Sequence, residues 1–355
     1  MRKVNIMRTF NYSKYKEYKW DAEILRKVSS IYKNKGKLEV LEPRNPELFE
    51  KLIENAQFES VVASNAIEGI KTTNHRFKQL FKQKITPKNR SEEEIAGYKD
   101  TINVINESYE HISITPNYIL QLHKIMYEKV SNNSIGGRFK NVQNYISATS
   151  ETGEEFTIFT PLSPVETPQA ITDICNEYNK MIKEGVVNPL ILTFIFLLDF
   201  LAIHPFNDGN GRMSRLLTNL LLYRLSYYVG KYVSLENKIA ETKDSYYDAL
   251  LDAQKGWEDD NNDPTPFISY MLGIVERAYN DLETKINLLN QNLSAYDIVK
   301  QSLTSKIGKI TKAEVLTLCP TLSSSSVEKS LAQLVNEGKL EKKGAGKNTF
   351  YVIKM

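Results

Sequence analysis

The sequence predicts a mainly α-helical protein, and three observations carry that reading. Long stretches repeat apolar residues at the three-and-four spacing of amphipathic helices. Helix breakers are sparse, with 16 Gly and 12 Pro in 355 residues. Strand-like patterns are confined to a segment near 143–164 and to the C-terminal end. The length admits two or three domains. Bulk charge does not announce a nucleic-acid protein, because 46 basic residues face 43 acidic ones for a net charge of +3. The two cysteines, Cys175 and Cys319, make neither a zinc cluster nor a disulfide framework, which fits a reducing cytoplasm. Residues 1–20 lack the apolar core of a signal peptide. The apolar run Leu190 to Ile203 is too short to span a bilayer and contains Asp199. A soluble, cytoplasmic protein with no membrane partner is expected.

The elements follow in order. Residues 1–20 are polar and aromatic and are expected to be loosely ordered. Asp21 to about Lys33 reads as a helix closed by a Lys/Gly turn, and Asn45-Pro46 opens another through Ala56. In FESVVASNAIEGI, which follows, Ser64 and Glu68 are four apart and share a helix face, with Gly69 as C-cap. Thr72 to Lys88 is a basic, turn-ended segment. Ser91 to Glu110 reads as a helix with Ser91 as cap and Glu93 and Glu94 in its first turn, where acids favour the dipole. Pro116 to Val130 is another helix, and Gly136 and Gly137 break the pattern after it. QNYISATSETGEEFTIFTPLSP places β-branched and aromatic residues on both sides of a polar turn at 151–153 and reads as a hairpin, with arms Tyr145 to Ser147 and Thr157 to Thr160. Pro168 to Lys183 is a helix on which Cys175 is a buried small apolar residue. Leu190 to Ile203 is apolar at nearly every position and reads as a helix buried all round. Pro266 to about Asn292 is a long helix. Beyond it come a helix (Ala295 to Leu303), ITKAEVLTLC, SSSSVEKSLAQLVNEGKL and a hairpin turned at 344–346, a winged helix-turn-helix pattern. Residues 306–355 hold nine Lys and four Glu, compatible with phosphate contact. The expected recognition helix begins at Ser323 to Ser326 and offers no arginine for guanine readout, so DNA and protein partners both stay open for this module.

The chemistry is concentrated in HPFNDGNGRMSR, His204 to Arg215. Pro205 disfavours helical geometry at His204, so the buried helix should end there. A loop of Asp208, Gly209, Asn210 and Gly211 follows, and Arg212 to Leu225 restarts as helix. The loop thus delivers backbone N–H groups at a helix N-terminus, which is an anion site. The glycines let the backbone approach an anion closely. Arg212 and Arg215 share a helix face, and their planar forks suit phosphate oxygens.

HPFNDGNGR matches HPFx(D/E)GNGR, and on this motif the chain resembles the Fic-domain proteins, the best known of which transfer AMP from ATP to hydroxyl side chains. The resemblance covers roughly residues 45–290 and implies a Fic-type helical core with a β-hairpin flap, to which this chain adds a C-terminal winged-helix module. The expected division is an N-terminal helical region over 1–90 with an inhibitory helix near 58–69, a catalytic core over 91–290 and the module over 291–355. His204 is the titratable group suited to take the proton of an attacking hydroxyl. Asp208 is a ligand for Mg²⁺, which commonly takes one or two carboxylates plus substrate phosphates. Asn210 and the N–H groups around Gly209 and Gly211 would line the anion hole. The resemblance assigns Arg212 to the β-phosphate side of ATP and Arg215 to the γ-phosphate. SNAIEG matches the inhibitory (S/T)xxxE(G/N) motif of the family, in which the glutamate, here Glu68, pairs with the second arginine, here Arg215; Ser64 completes it. The hairpin near 145–160 corresponds to a flap that holds a target protein by strand pairing. KDSYYDALLDAQKG resembles the segment that forms the nucleoside pocket, with Tyr246 and Tyr247 open between adenosine contact and core packing, and with Gln254 where the family often has asparagine. The resulting expectation is an auto-inhibited adenylyltransferase using Mg-ATP. Removal of AMP, or a DNA-binding regulator with a nucleotide-sensing core, are the alternatives, and association of several copies is left open.

Overall fold

The computed structural model describes residues 8–42, 46–131, 134–149, 155–290, 294–304, 308–319, 322–346 and 349–354. Its organising element is the helix Pro189–Ile203, in which every residue from Leu190 to Ile203 is buried. Burying a Leu or Phe fully contributes roughly 2 kcal/mol, so a helix with no polar face is stable only when wrapped on all sides. In chain order the helices are α1 (Ala22–Leu41), α2 (Pro46–Ile67), α3 (Asn74–Phe81), α4 (Arg90–Ser108), α5 (Pro116–Tyr127), α6 (Thr167–Glu184), α7 (Pro189–Ile203), α8 (Asn210–Arg224), α9 (Val229–Tyr232), α10 (Leu235–Glu241), α11 (Lys243–Gln254) and α12 (Thr265–Asn290). α7 packs against α6, α8, α11 and α12, while α1 lies along α12 and α2 against α9 and α10. One hydrophobic cluster runs through all of these from Phe10 to Ile286. α2 and α4, on either side of residue 90, pack against each other within this cluster. No helix among the described residues is long and apolar enough to cross a membrane.

Two expectations are corrected. Residues 8–20 are packed, with Phe10, Tyr12 and Tyr15 buried. Their anchor is Asp199, the lone acid in α7, whose Oδ1 accepts from Trp257 Nε1 at 2.7 Å and lies 3.7 Å from Arg8. A buried carboxylate needs such partners, and the N-terminal segment brings one of them. Second, α1 runs on to Leu41 through Gly36, and α2 runs unbroken from Pro46 to Ile67. α2 then stops in a Schellman motif: Gly69 has φ 76°, its N–H donates to Ala66 O at 3.0 Å, and Ile70 N–H donates to Asn65 O at 2.9 Å.

The flap forms as β1 (Ile146–Thr149) and β2 (Glu155–Phe159), antiparallel with Ser147 opposite Thr157; the turn expected at 151–153 lies outside the described residues. The C-terminal unit has its own core, from Ile298 to Tyr351. Its order is α13 (Ala295–Thr304), β3 (Lys309–Ile310), α14 (Lys312–Leu318), α15 (Ser324–Asn336), β4 (Leu340–Lys343) and β5 (Phe350–Ile353), with β5 central in an antiparallel β3-β5-β4 sheet.

Candidate active site

The site is built where α7 ends. His204 takes the left-handed conformation, φ 53° and ψ 63°, which ends α7 outside the right-handed helical region that Pro205 disfavours at the residue before it. Four successive carbonyls are then held from one side. Lys140 Nζ donates to Ile203 O at 3.0 Å and Lys140 N–H to Pro205 O at 2.8 Å. Asn144 Nδ2 reaches His204 O at 3.5 Å and Phe206 O at 3.1 Å. Phe206 is fully buried and stacks on His123, centroids 3.7 Å apart and planes at 2°. His123 Nδ1 accepts from Gly137 N–H at 3.0 Å, so its Nε2 carries the proton donated to Asp208 O at 3.1 Å. Burial pushes the His123 pKa down to about 4, which keeps that tautomer neutral.

With its carbonyls so held, the loop turns its N–H groups to the other side. α8 begins after Gly209, φ 84°, where no side chain caps the helix, leaving the first-turn N–H groups open to an anion. A Cβ at 209 would lie 2.7 Å from Met126 Cε and 2.9 Å from the Tyr127 hydroxyl. A Cβ at Gly211 would collide with Glu68 Oε1. The Asn210 side chain, expected to line the anion hole, bonds Phe206 at both ends: Oδ1 accepts from Phe206 N–H at 2.8 Å and Nδ2 donates to Phe206 O at 2.7 Å. Its part is to close the loop.

His204 Nδ1 lies 3.4 Å from Leu201 O and must donate to it, which leaves Nε2 as the ring's acceptor. Burial, and next the positive charge of Lys140, push the His204 pKa down to about 4, against the pull of Glu68 and Asp208. Asp208 keeps a half-exposed carboxylate, with Oδ2 3.3 Å from Arg90 Nη2.

The two arginines are treated differently. Arg212 is 1% exposed; its Nη2 donates to Glu94 Oε2 and to the Tyr127 hydroxyl, both at 2.7 Å, while its buried Nε and Nη1 have no partner among the described residues. Unpaired buried donors on a guanidinium are costly, and an anion would satisfy them. Arg215 is fully engaged on one side by α2: Nε donates to Ser64 Oγ at 2.8 Å, and Nη2 to Ser64 O at 3.0 Å and Glu68 Oε1 at 2.7 Å. Burial opposes the Arg215 charge, but the Glu68 carboxylate prevails and its pKa is raised. A buried Glu236 sets the rotation of α2. Its Oε2 accepts from Ser60 Oγ at 2.7 Å, and its Oε1 from Asn219 Nδ2 at 2.8 Å and the Tyr98 hydroxyl at 3.2 Å. Ser60 is one turn before Ser64, so this network aims Ser64 and Glu68 at Arg215.

The expected nucleoside residues divide. Tyr246 is buried against Phe267 and Tyr270, near Arg215, while Tyr247 is half-exposed. Gln254 is buried, and its Nε2 has no partner among the described residues.

Glu94, Tyr127, Lys140, Asn144 and Glu236 are residues of this site that motif reading missed. Of these, only Glu94 carried a signal, as an acid expected in a first helical turn capped by Ser91; α4 in fact starts earlier, capped by Asn89, and its first turn holds Glu92 and Glu93. Glu94→Ala leaves the buried Arg212 charge with the Tyr127 hydroxyl alone, and should lower the unfolding free energy by about 3 kcal/mol, read by urea titration followed by circular dichroism.

Residues 113–222 match the Fic/DOC family model. The chain is 27% identical over 229 residues to a protein adenylyltransferase, fic-1, of Caenorhabditis elegans, covering 61% of this chain and 40% of that protein. It is 24% identical over 293 residues to the protein adenylyltransferase Fic of Drosophila mojavensis, covering 78% and 52%. The chain spans about half the length of the curated relatives it matches. A Fic family protein from Desulfovibrio desulfuricans superposes with TM-score 0.59 over 95% of this chain and 97% of that one at 19% identity. Fic-1 of C. elegans gives TM-score 0.60 over 75% and 73% at 21% identity. These two likenesses show the fold.

Proposed function

We propose that this chain, which carries a Fic/DOC family domain over residues 113–222, is an auto-inhibited protein adenylyltransferase, moving AMP from Mg-ATP to a Tyr, Thr or Ser hydroxyl of a target protein. The observation that carries this reading is Arg212, a buried guanidinium with two donor nitrogens unpartnered among the described residues, beside an uncapped helix N-terminus. That pair of features suits a polyphosphate. The hydroxyl oxygen bonds to the α-phosphorus, the bond from that phosphorus to pyrophosphate breaks, and His204 Nε2 takes the hydroxyl proton. The N–H groups around Gly209 and Gly211 stabilise the negative charge on the phosphoryl oxygens. Arg212 holds the β-phosphate side and Arg215 the γ-phosphate. Tyr246 and Tyr247 wall the adenosine side.

Asp208 fits a role as Mg²⁺ ligand, since a single exposed carboxylate beside the phosphate loop matches a metal that takes its other ligands from phosphate and water. The bound metal would neutralise phosphate charge. Asp208→Ala should remove Mg²⁺-dependent transfer while leaving the thermal midpoint unchanged. Full activity of the variant at saturating Mg²⁺ would place the metal elsewhere.

The target segment pairs with the flap, whose two-stranded sheet leaves strand edges open among the described residues. Inhibition lies in α2, where Ser64 and Glu68 take the donors of Arg215 that a γ-phosphate needs. Removal of AMP is the second reading, favoured by the geometry of Glu68. Its Oε1 is bound by Arg215 while the side chain stays 33% exposed, so Oε2 can order a water. The C-terminal unit is read as a winged helix-turn-helix on its element order. An electrophoretic shift of the full chain on duplex DNA, titrated with salt, tests it for DNA binding.

A further inference from the structure

α2 has a second working face. Ser60 and Ser64 point inward to Glu236 and Arg215. Phe58, Val62 and Ala66, at helical spacing on the other side, line a cavity of about 660 Å³ between α2, α3 and α14. Phe58 stands edge-on to Phe77 at 5.3 Å and to Phe81 at 5.2 Å, and Leu316 of α14 closes the far wall. The volume and the aromatic floor are those of a small-molecule site.

Charge selects the ligand. Lys71, Lys78 and Lys82 stand exposed at the rim of the cavity, where their ammonium groups have no protein partner among the described residues. Two acids also line it, but Glu59 has Lys285 and Thr317 beside it, which leaves Glu54 alone against three lysines. An apolar body with a cationic head meets repulsion there, a neutral one gains nothing from the rim lysines, and an anionic head is attracted by them.

We infer that this cavity binds a free amphipathic anion, an acyl or similar apolar chain with one carboxylate head, and that its occupancy loosens α2 and releases Arg215. The coupling follows from geometry. Ala66 lies two residues from both Ser64 and Glu68, so a wedge between α2 and α14 moves the segment whose bonds to Arg215 are 2.7–3.0 Å long. A shift of about 1 Å breaks such bonds. The regulatory half rests on the inhibitory reading of Glu68; the binding half does not.

The test uses the full chain and dodecanoate as probe, with dodecanol and dodecyltrimethylammonium as controls, by calorimetry without nucleotide. One dodecanoate should bind per chain, about tenfold more tightly than either control. Lys71→Gln/Lys78→Gln/Lys82→Gln should cost dodecanoate about tenfold and leave dodecanol unchanged. Val62→Trp should fill the cavity and abolish binding of all three. No saturable binding, equal affinity for the three heads, or indifference to both variants overturns the site. Co-sedimentation with phosphatidylglycerol vesicles that the lysine variant loses would assign the lysines to a membrane instead and also overturn it. Dodecanoate should raise self-adenylylation of wild type and not of Glu68→Gly. Binding with an unchanged or lowered wild-type rate overturns the coupling. If no variant transfers AMP at all, the adenylyltransferase reading fails while calorimetry still decides the site.

Discussion

Glu68→Gly is expected to raise AMP transfer, to the chain itself and to targets, by about a hundredfold. The cause is competition for donors. Arg215 gives Nε and Nη2 to Ser64 and Glu68, and a γ-phosphate needs the same planar fork. ATP that binds by its adenosine end then leaves its phosphates off-line, and a misplacement of about 1 Å costs on the order of a hundredfold in rate. Glycine at 68 removes the competing charge without touching the Schellman turn, which is made by backbone groups at 65–70. Adding Arg215→Ala should abolish most of the gain, because the freed arginine is the beneficiary. Ser64→Ala should release inhibition only in part, since Glu68 keeps its bond. The rates are read as AMP added per molecule over time, by intact mass. Equal rates for wild type and Glu68→Gly at several ATP concentrations would return SNAIEG to an ordinary helix end.

His204→Ala should lower transfer by at least about a hundredfold while leaving ATP affinity within about a factor of two. His204 Nδ1 is committed to Leu201 O, so Nε2 alone is available to take a proton. No hydrogen bond of the ring reaches Arg212 or Arg215, whose partners are Glu94, Tyr127, Ser64 and Glu68. The pH dependence has a definite sign. The His204 pKa is pushed down to about 4, so the base is neutral and competent above that value. The acid limb of kcat/KM should therefore fall near pH 4, well below the ordinary histidine value of 6.5. Calorimetry gives the affinity, and a pH series on Glu68→Gly gives the limb, expected no higher than about pH 4 because the variant lacks the Glu68 charge that pulls the His204 pKa up.

Much of this site was legible in the sequence because its chemistry is local. The end of α7 at His204 and the turn at Gly209 follow from Pro205 and the glycines alone, whereas α8 restarts at Asn210, two residues before the expected Arg212, because the left-handed Gly209 already ends the turn. The Glu68 cap at Gly69 was legible for the same reason. What escaped were pairs that only the tertiary fold creates. Glu94 reaches Arg212 from 118 residues away, and Glu236 reaches Ser60 from 176. Lys140 and Asn144 look like loop residues until the fold sets them under the carbonyls of 203–206. Residues 8–20 read as loose because nothing local orders them; the buried Asp199 does, by needing Arg8. Asn210, expected in the loop, opens α8, and its amide faces the backbone of Phe206.

The most direct test of the account is to incubate Glu68→Gly with Mg²⁺ and ATP labelled separately at the α- and γ-phosphate, and to follow label into protein. The account predicts α-label incorporated in proportion to pyrophosphate released, lost with His204→Ala, and no γ-label. Incorporation of γ-label, or of neither, would contradict it.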